Sequence, residues 1–193
     1  MIEQGEVVDI YIRSFVVGRG PTHDAQDMVK AAQSVLQALC PNILPHFDHK
    51  TDENGVGNGS GILIVAKTTT GCLLAGSALG TPKKHAKEVG TEAANELARS
   101  LSEGGCVDEW LQDQLILYMA LAVGPSQMLT GSLTLHTQTA IEIAKQVCGA
   151  TIEVVKLNKS KQETSKGYGK AGLIPGKHLI RCTGISHHMV NQL

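Results

Sequence analysis

Two adjacent glycines, Gly104-Gly105, constrain this chain more than any other feature, because they close a helical pattern and cut 193 residues into two pieces. Ahead of them Ala86, Val89, Ala93, Leu97 and Leu101 recur at helical spacing, following a proline, Pro82, of the kind that suits a helix's first turn. Glycine ends such a helix because it accepts the left-handed backbone that a carboxy-terminal cap requires. The pattern therefore predicts one unit over 1–104 and a second over 105–193.

The first piece reads as strand, helix, strand, hairpin, helix. Over 6–17 Val8, Ile10 and Ile12 alternate with Asp9, Tyr11 and Arg13, as in a half-buried strand. A helix follows, favoured at its start by Asp24 and Asp27, with Met28, Ala32, Val35 and Leu39 as its inward stripe and Pro41 past its end. A short strand is expected over 42–47 and a polar loop over 46–61. In that loop His46 and His49 stand beside Asp48 and Asp52, a combination that suggests a metal site but more often marks a solvated surface. The run Gly55-Val-Gly-Asn-Gly-Ser-Gly61 imitates a phosphate cradle, yet it precedes a strand instead of opening a helix, so turn glycines are the better reading. The apolar runs 62–66 and 72–78, parted by Thr68-Thr-Thr-Gly71, form a hairpin.

Whatever the second piece does, the whole-protein field does not drive it: net charge is −1, so attraction to nucleic acid needs a local patch or a partner segment. The arginines are Arg13, Arg19, Arg99 and Arg181, few for a site that handles phosphate. Five scattered cysteines without a Cys-x-x-Cys spacing disfavour both a disulfide framework and a zinc site, and point to reduced thiols inside a cell. No stretch is apolar for long enough to span a membrane, and Glu3, Glu6 and Asp9 break any secretory pattern.

Chemistry concentrates between Val107 and Ala140. Val107, Leu111, Leu115, Tyr118, Met119 and Ala122 predict a helix on which Trp110, Asp113 and Gln114 share one face. A strand over 128–135 then runs into a helix over 137–147, with His136 at the joint. A helix start presents unpaired N–H groups and the positive end of the macrodipole, so a phosphate is at home beside that imidazole. Thr134 and Thr137 are local hydroxyls able to orient the ring, Trp110 can stack a base, Asp113 can bond a ribose hydroxyl or sit near a divalent cation, and Gln114 can read a base edge. Set against this, a lone histidine at such a joint is more often a cap or packing residue, and a tryptophan on an apolar helix is usually core. Beyond these helices a strand is expected over 151–157, a mobile Lys/Ser/Gly-rich loop over 158–176, a last strand over 178–182 and an unstructured tail over 186–193. This piece is short for an independent domain, and its apolar sheet face calls for strands from elsewhere.

At these residues the sequence resembles the RNA 3′-terminal phosphate cyclase family. The strings that carry the likeness are Gly104-Gly-Cys-Val-Asp-Glu-Trp-Leu-Gln-Asp-Gln-Leu, Met119-Ala-Leu-Ala and Thr130-Gly-Ser-Leu-Thr-Leu-His-Thr-Gln-Thr-Ala. In the first piece, Gly57-Asn-Gly-Ser-Gly and Thr70-Gly-Cys-Leu-Leu-Ala-Gly-Ser resemble the family's small inserted domain. The resemblance implies an α+β fold: a small inserted α/β domain over 1–104, then the carboxy-terminal part of an incomplete cyclase core over 105–193. That core is built of βαβαββ-type units akin to the carboxy-terminal domain of translation initiation factor 3. It also implies chemistry: His136 matches the nucleophile that takes AMP from ATP, and the AMP passes to an RNA 3′-terminal phosphate. The neighbouring 2′-hydroxyl then displaces it, leaving a 2′,3′-cyclic phosphodiester.

Trp110 stands where the family commonly has an adenine-stacking tyrosine, and Asp113 and Gln114 match positions that contact the nucleotide. The implied cofactors are ATP and a divalent cation, magnesium or manganese, and the implied partner is RNA with a 3′-terminal phosphate. Family members are about twice this long, so the expected further partner is the missing amino-terminal half of the cyclase fold, and the chain alone is expected to show little or no cyclase activity. Likeness to eukaryotic members implies the nucleus, with the cytoplasm second. Three rivals remain: a non-catalytic relative acting in ribosomal RNA maturation, which is expected to lack the histidine; another enzyme on similar architecture, such as an enolpyruvyl transferase; and a structural fragment without activity.

Overall fold

A computed structural model describes residues 1–157 and 176–185, so the loop and the tail expected over 158–176 and 186–193 lie almost wholly outside the described residues. Two compact units are present, Gly5–Ser102 and a second that joins Met1–Gln4 to the described residues from Glu103 on. Both mix helix and strand, and the fold is α+β.

In the first unit the strands β1 (Val7–Val17), β2 (His46–Asp52), β3 (Gly59–Thr68) and β4 (Leu73–Leu79) form one sheet in the order β2-β1-β3-β4. β2 runs parallel to β1, and β3 and β4 continue the sheet antiparallel. The helices α1 (His23–Leu39) and α2 (Ala86–Glu103) complete the unit. Ile10, Ile12 and Val16 of β1 are buried, with Ile62, Ile64 and Leu74 of the hairpin. Gly76 and Gly90 show how closely α2 packs: a Cβ on Gly76 would meet the Ala93 carbonyl at 2.2 Å, and one on Gly90 would meet the Met28 carbonyl of α1 at 2.1 Å.

Several local expectations shift. Val8 is exposed, because the register between β1 and β3 slips between Val7 and Asp9 and the alternation restarts at a bulge. The strand expected over 42–47 is β2, four residues later, and it is polar because it lies on the sheet edge; part of the presumed polar loop is therefore strand. In α1 the buried stripe ends at Leu36, and Leu39 at the helix end is exposed. α2 starts at Ala86, not at Pro82, and buries Ser100 where Leu101 was expected.

The second unit contains α3 (Gln112–Leu121), β5 (Pro125–Thr130), α4 (Leu135–Ile143), β6 (Thr151–Leu157) and β7 (Lys177–Thr183), with one π-helical turn, Ala144–Cys148, continuing α4. The sheet order is β5-β7-β6, antiparallel throughout. Its core gathers Ile116 and Ala120 from α3, Met128 from β5, Ile141 from α4, Ile152 from β6 and Ile180 from β7. Met1 lies along β5: its amino group donates to the Gln127 carbonyl at 3.1 Å and its carbonyl accepts from the Leu129 amide at 2.8 Å. Among the described residues no helix is long and apolar enough to cross a membrane.

Candidate functional site

The site residues picked out in the sequence fall at the starts of α3 and α4. Residues 109–111 form a turn just ahead of α3, so Trp110 precedes the helix instead of standing on it, and Val107 lies further back. The cause is Asp108, whose Oδ1 accepts from the Trp110 and Leu111 amides at 3.1 and 2.9 Å. The aspartate side chain thereby closes a local turn over 108–111, while Leu111, the N-cap of α3, has no side-chain cap bond. The face that α3 buries is Gln112, Ile116, Met119 and Ala120, while Tyr118 is 70% exposed. Apolar residues surround this helix on every side, so spacing alone could not select the buried face.

β5 likewise ends five residues earlier than expected, at Thr130, and residues 131–134 carry the chain into α4. Thr134, with φ −72° and ψ 160°, is the N-cap, its hydroxyl accepting from the Thr137 amide at 3.1 Å. His136 is thus the second residue of α4, not a joint residue, and its side chain is exposed. The Thr134 and Thr137 hydroxyls bond each other at 3.0 Å, so they serve the cap and do not orient the ring. The Gln138 amide is taken by the Thr134 carbonyl. The Leu135 and His136 amides remain the first-turn donors with no partner among the described residues. Such donors, at the positive end of a helix dipole, suit an anion.

Gln112 ties the two helix starts together. It is buried, its Nε2 donates to the Ser132 carbonyl at 3.3 Å, and its Oε1 accepts from the Thr130 hydroxyl at the same distance. Trp110, the chain's one tryptophan, is 58% exposed. An indole left largely in water forfeits most of its burial energy, so it is not a core residue. Asp113 Oδ1 accepts from the Gln114 amide at 2.9 Å, and Gln114 Nε2 donates to the Trp110 carbonyl at 2.8 Å. The Gln114 side chain therefore braces the Trp110 turn.

Sequence reasoning missed Asp108, Gln112, Glu103 and His178. Asp108 carried a signal, an aspartate a few residues ahead of a helix; the other three act through contacts 18 to 47 positions away in sequence and carried none.

The second candidate, His46 and His49, lies on β2 in the first unit. Asp48 there is bound bidentately by Arg13, Nε to Oδ1 at 3.1 Å and Nη2 to Oδ2 at 2.9 Å, and Arg13 Nη2 also donates to the Tyr11 hydroxyl at 2.9 Å. The Arg13 hydrogen bonds hold the Asp48 carboxyl below the usual carboxylate range. Among the described residues no group of three or more His, Cys, Asp or Glu could hold a metal ion.

Residues 2–102 match the family model described as RNA 3′-terminal phosphate cyclase, insert domain. Over the whole chain, the RNA 3′-terminal phosphate cyclase of Drosophila melanogaster is 34% identical, and the match covers 49% of that protein. The probable RNA 3′-terminal phosphate cyclase of Dictyostelium discoideum is 40% identical over 68% of this chain and 28% of its own length. The enzyme of that name from Caldivirga maquilingensis is 36% identical over 84% of this chain and 46% of its own length. The chain spans about half the length, or less, of these curated relatives. A match over all of the chain, through both units and the α3 and α4 starts alike, means that the chain belongs to the RNA 3′-terminal phosphate cyclase family.

Proposed function

We propose that this chain supplies the nucleotide-binding and adenylate-accepting part of an ATP-dependent RNA 3′-phosphate cyclase. In this reading a neutral nitrogen of His136 attacks the α-phosphorus of ATP. The bond to the bridging oxygen breaks, pyrophosphate leaves, and a phosphoramidate to AMP remains. An oxygen of an RNA 3′-terminal phosphate then displaces the imidazole. Attack by the adjacent 2′-hydroxyl on the RNA phosphorus releases AMP and closes the 2′,3′-cyclic phosphodiester. Trp110 stacks the adenine, Asp113 faces the nucleoside, and the Leu135 and His136 amides receive phosphoryl oxygen. The observation that carries the reading is an exposed imidazole and an exposed indole at two helix starts tied together through one buried glutamine.

A divalent cation fits as a companion of ATP, not as a resident of the protein. Magnesium takes most of its ligands from phosphate and water, with one or two carboxylates, and Asp113 would offer one carboxylate beside the nucleotide. Such an ion would neutralise phosphate charge in a region where the chain has few arginines. The nucleus is the proposed location. A non-catalytic role in ribosomal RNA maturation is the second reading, and the presence of His136 favours the first.

The test is incubation of the 193-residue chain, alone and with an amino-terminal cyclase half added, with ATP labelled at the α-phosphate and magnesium or manganese. The expected result is an acid-labile, alkali-stable adduct at His136 once the added half is present, absent from His136→Ala. An adduct at another residue, or none in either mixture, refutes the proposal.

A further inference from the structure

We infer that Glu103 and His178 are positioning residues for His136, acting through residues 131–134; the inference rests on the reading of His136 as the group that must be aimed. The chain leaves β5 at Thr130 and enters α4 at Leu135, so the intervening backbone sets the angle from which α4 presents His136. That backbone is held by side chains from three other elements.

From the end of α2, the Glu103 carboxylate spends both oxygens on Ser132. Oε2 accepts the Ser132 amide at 2.9 Å and Oε1 accepts its hydroxyl at 3.0 Å. A carboxylate only accepts, so the serine proton points to Glu103 and the serine oxygen is left to accept the Gly176 amide at 3.2 Å. From β7, His178, 2% exposed, places Nδ1 at 3.0 Å from the Gly131 carbonyl. A carbonyl cannot donate, so that nitrogen carries the proton and the tautomer is set. From α3, Gln112 donates to the Ser132 carbonyl. Gln138 then closes the set, donating to the Leu133 and Thr134 carbonyls at 3.3 and 3.2 Å.

The fit is close. A Cβ on Gly131 would lie 2.1 Å from Glu103 Oε2, so glycine is required for the carboxylate to reach Ser132. A negative side chain does nothing favourable for a polyphosphate, and the worth of Glu103 here is geometric. Misplacing a reacting group by about 1 Å can cost on the order of a hundredfold in rate, so a turn held by charge-assisted hydrogen bonds is matched to the task.

The test uses the isotope-labelled full chain without nucleotide. In Glu103→Ala, exchange of the Ser132 amide is expected to accelerate about tenfold to a hundredfold, with displaced ring signals of His136. Glu103→Gln, which keeps an acceptor for the amide, is expected to restore most of both. Ser132→Ala removes only the hydroxyl arm and should move the His136 ring signals less, and it carries the test, with Glu103→Gln, if Glu103→Ala does not fold. His178→Ala should move the same ring signals through Gly131. Unchanged Ser132 exchange, or unchanged ring signals while the turn opens, overturns the inference. Should the ring respond as expected while the wild type takes no adenylate, the positioning role stands and the reading of His136 as nucleophile falls.

Discussion

Gly90→Ala sets two effects of opposite sign against each other inside one helix. Alanine is the better helix former by about 1 kcal/mol, so α2 taken alone gains. The added Cβ, however, would lie 2.1 Å from the Met28 carbonyl oxygen and 2.8 Å from the carbonyl carbon, and real Cβ contacts essentially never fall under 3.0 Å. The obstacle is backbone in the middle of α1, so no side-chain rotation relieves it, and the helices must part by about 0.9 Å at that point. Overpacking of this kind costs about 1–3 kcal/mol. A gap of 0.5–1 Å also forfeits roughly a quarter to a half of each dispersion contact along the separated surfaces. The clash at a carbonyl belongs at the upper end, so the net expectation is destabilisation of residues 5–102 by about 2 kcal/mol. Amide exchange at Ile10 and Ile64, buried in that unit, reads the effect locally and should accelerate roughly thirtyfold. Gly71→Ala is the comparison. Its φ is +82° with nothing within 4 Å of the added carbon, so only left-handed strain of about 1–2 kcal/mol applies. A Gly90→Ala protein as stable as the wild type, or more so, would refute the close approach of α1 and α2.

Three further outcomes are expected. Asp108→Ala should cost about 1 kcal/mol in the second unit and make the Trp110 and Leu111 amides exchange faster, because one oxygen serves both; unchanged exchange at these amides argues against the turn. Asp48 should titrate below the ordinary aspartate value of about 3.9, since Arg13 holds its charged form. With the folded value lowered, the pair's contribution is complete above the unfolded value and fades as pH falls through the folded one. Both groups are exposed, so carbonyl-carbon NMR of Asp48, not a melting curve, is the measurement, and a midpoint at or above the ordinary value would contradict the geometry. ATP with magnesium should quench the fluorescence of Trp110, the only indole present, and Trp110→Ala should lower ATP affinity by roughly tenfold, the loss of one stacking contact; no change in emission at saturating ATP would remove the stacking role.

The strands and helices of the first unit were legible because their side chains alternate or recur with the element's own period: Ile10, Ile12, Met28 and Ala32 face inward as the pattern requires. Edges were not legible in the same way. β2 reads as polar loop because an edge strand needs only one partner and little burial, and Val8 reads as core because a bulge leaves no mark in the alternation. In the second unit the residues that resemble a nucleotide site could be named from sequence, since Trp110, Asp113, Gln114 and His136 lie in two short strings. What holds them could not. Asp108 turns Trp110 out of the helix, Gln112 joins the two helix starts, and Glu103 and His178 fix the turn before His136. Sequence by itself determined which residues are apolar, which are chemically able, and where glycine breaks the chain, because those are local properties. Tertiary structure alone decided which face of α3, apolar all round from Leu115 to Leu121, is buried and which distant side chains satisfy the 131–134 backbone. A buried polar group must find its partner wherever the fold places one, and its distance along the chain plays no part in that choice.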